Sequence, residues 1–107
     1  MSELQLEIVT GSGRLDREIS GGYVSDLLSN VMGQARSGTV WVTMQAHQNV
    51  VAVASLLDLA AVIVAGGVEP DHQTVTKAQV ENIVILKTML PAYEVTGRLY
   101  SMGISGS

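Results

Sequence analysis

The densest group of chemically capable residues in this chain is the stretch DREISGG, positions 16 to 22. Asp16 and Glu18 are paired carboxylates of the kind that serve as general acid and base when a fold holds their environments apart. Arg17 stands between them, and a neighbouring guanidinium favours the ionised forms, which suits an ion-pair network better than proton transfer. Two readings of the stretch stay open. In one it is a polar brace: Asp16 accepts backbone N–H bonds in a turn, Arg17 bridges, and Gly21-Gly22 adopts a backbone shape closed to bulkier residues ahead of a helix. In the other, these residues and Ser20 contact a ligand directly.

Other candidate chemistry is thinner. GSGRLD opens like a dinucleotide fingerprint, but Asp16 stands where the third glycine belongs. No GxxxxGK followed by Ser or Thr occurs, so the phosphate-gripping loop of an ATP-driven kinase is missing. His47 and His72 lie 25 positions apart without a carboxylate at metal-ligand spacing, so no metal site is expected. His47 reads as a cap or lining residue, and His72, beside Asp71 in a proline turn, as exposed. The serines include no GxSxG elbow, and the chain has no cysteine, so no nucleophile is visible and no cofactor is implied.

The elements that must position these residues follow from the apolar pattern. LQLEIVT (4 to 10) reads as a first strand stopped by GSG, and Val24, Leu27, Leu28, Val31 and Met32 predict a helix over 23 to 35. TVWVTM (39 to 44) is a second strand, His47 to Leu57 a largely buried helix, and AAVIVAGG (60 to 67) a strand covered on both faces. Beyond Pro70, Thr76 and Gln79 suggest a capping box for a short helix through Asn82. IVILKT (83 to 88) is the fourth strand, and a last helix runs from Pro91 to Gly103. Strands alternating with helices imply right-handed crossovers and a three-layer α/β/α fold with a mostly parallel sheet of four to five strands.

In such a sheet the strand-to-helix loops gather at the carboxyl edge, where ligands bind in a crevice. That rim is expected to collect Thr10 to Gly13, Met44 to His47, Gly66, Gly67 and Thr88. Small hydroxyl residues, glycines and helix N-termini make it friendly to a small anion, although such folds also need glycines merely to turn there.

Composition narrows the partners. With 107 residues, 47% hydrophobic and 15% charged, the chain suits one domain over 1 to 104, with residues 105 to 107 reading as a flexible end. A net charge of −4 with only six Lys and Arg offers no stripe for a phosphate backbone, so nucleic acid is not expected. No run approaches the ~20 apolar residues of a membrane span and no signal pattern opens the chain, which reads as cytoplasmic.

Asp16-Arg17, then Gly21-Gly22 followed by YVSDLLS, resembles the DRTGG domain family. The likeness extends to Gly66-Gly67, the turn at Glu69-Pro70 and the strand IVILKT, with Ser20 in place of the family's threonine hydroxyl. Glu18-Ile19-Ser20 departs from that motif between Arg17 and Gly21. The resemblance implies a fold like the N-terminal domain of HPr kinase/phosphorylase and a regulatory role without catalysis, in domains found beside CBS modules in pyrophosphatases. It further implies a homodimer that senses a nucleotide or another small anion, or docks on a partner protein. Asp16, Arg17, Ser20, Gly21, Gly22, Thr43, His47, Gly66, Gly67 and Thr88 are the residues expected at its ligand site or interface. Two alternatives stand beside this reading: a small phosphoryl- or acyl-transfer enzyme using His47 as base, and a scaffold with an apolar docking face.

Overall fold

The β-branched run at 39 to 43 and the apolar run at 61 to 64 are buried along their whole length, as strands covered on both faces must be. The computed structural model describes residues 6–11, 19–26 and 28–106, with 28–30 as backbone only. Among these the order is β1 (Glu7–Thr10), β2 (Gly21–Val24), α1 (Leu28–Gln34), β3 (Thr39–Thr43), α2 (Gln48–Leu57), β4 (Ala61–Val64), α3 (His72–Glu81), β5 (Ile85–Lys87) and α4 (Ala92–Ser101). The five strands form one sheet in the order β1-β5-β4-β3-β2. β2 through β5 are parallel and β1 runs antiparallel to β5, so the expected three-layer, mostly parallel architecture is the observed one.

From β2 to β5 the chain always steps the same way across the sheet. Right-handed crossovers that never reverse direction must place their helices on one face. Accordingly Val31 and Ala35 from α1 and its exit, Val51 and Ala54 from α2, and Ala78 from α3 share one core with Trp41, Val62, Val64 and Ile85 of the strands. The opposite face, carrying Val40, Val42, Ile63 and Leu86, packs on Val95 and Leu99 of α4. α4 lies over β2 and β3.

Three local expectations are corrected. The first helix begins at Leu28 and not at Tyr23, because Gly21–Val24 pair residue for residue with Thr39–Val42 as a strand. The glycine pair is therefore strand backbone rather than a turn before a helix. α3 starts five residues earlier than the Thr76/Gln79 capping box implied: Asp71 is its N-cap, with the carboxylate accepting a 2.7 Å bond from the Thr74 N–H. β1 is antiparallel, which carries Thr10 away from the carboxyl edge of its neighbours.

The sheet margins are closed differently. β1 is irregular between Ile8 and Thr10. On the β2 side the Gly22 N–H donates to the Ser105 carbonyl at 2.9 Å, and Gly22 forms a parallel bridge with Gly106.

Candidate functional site

At the carboxyl ends of β2 and β3 the polar groups bond to one another. Trp41, fully buried, donates its indole N–H to the Ser25 carbonyl at 2.8 Å and so fixes the chain as it leaves β2. The next residue, Asp26, accepts from the Thr43 hydroxyl and from the Met44 N–H, both at 2.7 Å through Oδ1. The Thr43 oxygen in turn accepts from the Gln45 N–H at 3.1 Å, and the Gln45 side chain donates to the Asp26 carbonyl at 3.3 Å. Hydroxyl, carboxylate and amides thus form a local lock between two strand ends.

The loops after β4 and β5 lock together in a similar way. Gly66 and Gly67 both take φ of +76°, where a side chain is strained. Their N–H groups donate to the Leu90 carbonyl at 2.7 Å and the Thr88 carbonyl at 2.9 Å, while the Leu90 N–H donates to the Thr88 hydroxyl at 3.2 Å. Met44 lies over Gly66 and Met89 over Gly67, so close that an added Cβ would meet their methyl groups at 3.2 and 3.1 Å. Met89 is 80% exposed.

Beside Gly67 and Met89 opens a cleft of about 270 Å³, in which Lys87 meets Glu69 and Glu7. The Lys87 ammonium donates to both Glu69 oxygens at 2.8 and 2.7 Å and lies 3.3 Å from Glu7. The bond to Glu69 pushes the lysine above its ordinary pKa, aided by Glu7 and opposed by partial desolvation. Glu7 reaches this edge only because β1 runs antiparallel. Nearby, Asp71 is held below the ordinary carboxyl value by the backbone bond from Thr74, then by the Thr74 hydroxyl, with a smaller contribution from His47.

The match of fold is with the regulatory region of an enzyme. The crystal structure of the CBS and DRTGG domains of the regulatory region of Clostridium perfringens pyrophosphatase, complexed with its activator diadenosine tetraphosphate, superposes with a TM-score of 0.68 at 15% identity. The likeness covers 92% of this chain and 43% of that one, so this chain spans under half of that structure's length. The two share a fold. No family model matches the sequence, and no curated protein does.

The residues singled out from the sequence separate into two groups. Thr43, His47, Gly66, Gly67 and Thr88 gather at the carboxyl edge, His47 as the exposed N-cap of α2 without a side-chain capping bond. Ser20, Gly21 and Gly22 lie at the opposite, amino end of the sheet, where the Ser20 hydroxyl donates to the Ser37 carbonyl and its N–H to the Gly38 carbonyl, each at 2.9 Å. Thr10 is also at that end: its hydroxyl donates to the Ile83 carbonyl at 2.7 Å and accepts from the Ile85 N–H at 3.1 Å. The glycine pair therefore does not shape the rim with Gly66 and Gly67. Asp16 and Arg17, with Ser12 and Gly13, fall outside the described residues.

Asp26, Lys87, Glu69 and Glu7 are the rim residues that the sequence reading passed over. The signal for Asp26 was its place two residues beyond GGYV, legible only once GGYV is known to be a strand. Among the described residues no three His, Asp or Glu side chains are grouped to hold a metal ion, and no helix is long and apolar enough to cross a membrane.

Proposed function

We propose that this chain is a cytoplasmic, non-catalytic regulatory module of the DRTGG kind, which senses a small molecule and acts through self-association. The observation that carries the reading is the rim itself. Its polar groups are engaged with one another, Asp26 with Thr43 and Met44, Thr88 with Leu90, Lys87 with Glu69 and Glu7, instead of converging on a reacting atom. A general base needs a partner that orients it toward a substrate, and the carboxylate beside the exposed His47, that of Asp71, is spent on capping Thr74. The shared fold with a regulatory region supports the same conclusion.

The charge of the rim sets the terms for a ligand. From β2 to β5 the strand order never reverses, so these parallel strands have no switch point, the place where neighbouring loops diverge to open a crevice in doubly wound sheets. What remains is the Lys87 cleft, where a nucleotide phosphate has to exchange with Glu69 for the ammonium. Adenine nucleotides, diadenosine tetraphosphate, acetyl phosphate, pyruvate and nicotinamide cofactors form the panel for a thermal-shift test, since a ligand of the folded state raises its melting temperature. One class should raise it, and Lys87→Met should reduce that response. A flat panel overturns the sensing role; turnover of any of these compounds that disappears in His47→Ala overturns the non-catalytic one.

A further inference from the structure

The outer surface of α4 carries a feature that folding of one chain does not require. Val95 and Leu99 point into the sheet and are buried. At 100° per residue the centre of the opposite side falls on Gly97, with Tyr93 and Tyr100 along one flank and Glu94 along the other. Tyr93 is 90% exposed and Tyr100 70%. Among the described residues a Cβ built on Gly97 would meet nothing within 4 Å, so none of them demands a glycine there. Glycine is among the worst residues for the middle of a helix, and a close-packed partner is the usual reason to keep one.

We propose that α4 is a self-association surface on which the α4 of a second copy packs antiparallel, crossing at Gly97. This rests on the self-association part of the reading above and gives it a location. The occupant is a second copy because the surface is complementary to itself. A two-fold axis lying in the interface, perpendicular to the helix, reverses the order of residues along α4 but keeps each flank facing its own kind. Tyr93 of one copy then lies against Tyr100 of the other, Gly97 against Gly97, and Glu94 against Arg98. Within one chain Glu94 and Arg98 already form an i,i+4 pair at 3.8 Å, so the antiparallel partner doubles an existing match of charge instead of burying a lone one. The gap left by Gly97 admits the aromatic flank of the partner, the type of residue that anchors interfaces. A contact centred on one ten-residue helix is at the small end of specific interfaces, so this dimer forms and dissociates with concentration.

Sedimentation equilibrium of the full chain and three variants tests the pairing, with circular dichroism to establish that each is folded. Gly97→Gln fills the crossing point while keeping a good helix former in open space, and should weaken association at least tenfold. Glu94→Arg makes both charged positions of the flank positive, and Arg98→Glu makes both negative; each alone should lose association to a similar degree. An equimolar mixture of the two should recover it as a heterodimer, since each copy then presents the charge that the other lacks. A wild-type dimer whose mass is unmoved in all three variants overturns α4 as the surface and leaves self-association standing. A wild type that stays monomeric up to about 1 mM overturns both, and gives the Tyr93 and Tyr100 face to a different protein.

Discussion

The two faces of the sheet are built on different terms. One is filled by α1, α2 and α3, which the unidirectional strand order obliges to lie there, and its core holds the largest buried side chain, Trp41. The other relies on α4, the one helix that no parallel crossover dictates, with Leu6, Ile19, Leu90 and Ile104 packed around it. Connectivity explains the first face; side-chain choice has to explain the second. The difference also separates stability from function, because the crowded face has its exposed helices anchored by chain crossings, whereas α4 alone shows a centred glycine between exposed tyrosines.

The crowded face should be the more sensitive of the two to loss of a buried side chain. Trp41→Ala removes a fully buried indole together with its bond to Ser25, and should cost about 3–5 kcal/mol in urea unfolding. Leu99→Ala, the equivalent cut beneath α4, should cost about 2–4 kcal/mol. If the second exceeded the first, α4 would be the principal support of the fold and not its outer addition.

Gly97→Ala sharpens the contrast in the opposite sense. Because the added methyl meets open space and alanine favours helix, the dilute protomer should gain about 0.5–1 kcal/mol. A loss of stability at low concentration would mean that Gly97 serves the monomer.

The smallest effect is one of pH, at the cap of α3 on the crowded face. Asp71, the cap of α3, has a native pKa below its ordinary 3.8, so the stability it lends is present above that value. It is lost as pH falls through the lowered native value, when the carboxylate that accepts the Thr74 N–H takes up a proton. α4, capped by Pro91 without any side-chain bond, has no capping carboxylate to lose. Amide exchange followed from neutral to acid pH should show α3 loosening ahead of α4, and Asp71→Asn should abolish the difference.

What the sequence made legible follows the same division. The runs Thr39–Thr43 and Ala61–Val64, and the helices Gln48–Leu57 and Ala92–Ser101, were readable because continuous burial or a clean apolar stripe leaves one interpretation. GGYV was not, since two glycines and two apolar residues present neither alternation nor a run, and helical spacing downstream absorbed Val24, which is exposed in the strand. The rim shared by Thr43, Gly66, Gly67 and Thr88 followed from parallel strands, but its internal bonding did not. That depends on Asp26 and Glu7, whose places were set by the strand missed and the strand reversed. The direction of β1 has no local signature, because an antiparallel return pairs residues some 75 positions apart, such as Thr10 and Ile85.

The bridge between Gly22 and Gly106 bears on solubility. A strand at the margin of a sheet is a template for another chain, and proteins that leave it bare tend to aggregate edge to edge. Here Ser105 and Gly106 occupy part of that template at β2, while the irregularity of β1 between Ile8 and Thr10 blunts the far margin. Loss of the pairing with Ser105 and Gly106 should therefore bare the edge of β2 and raise the tendency of the preparation to polymerise.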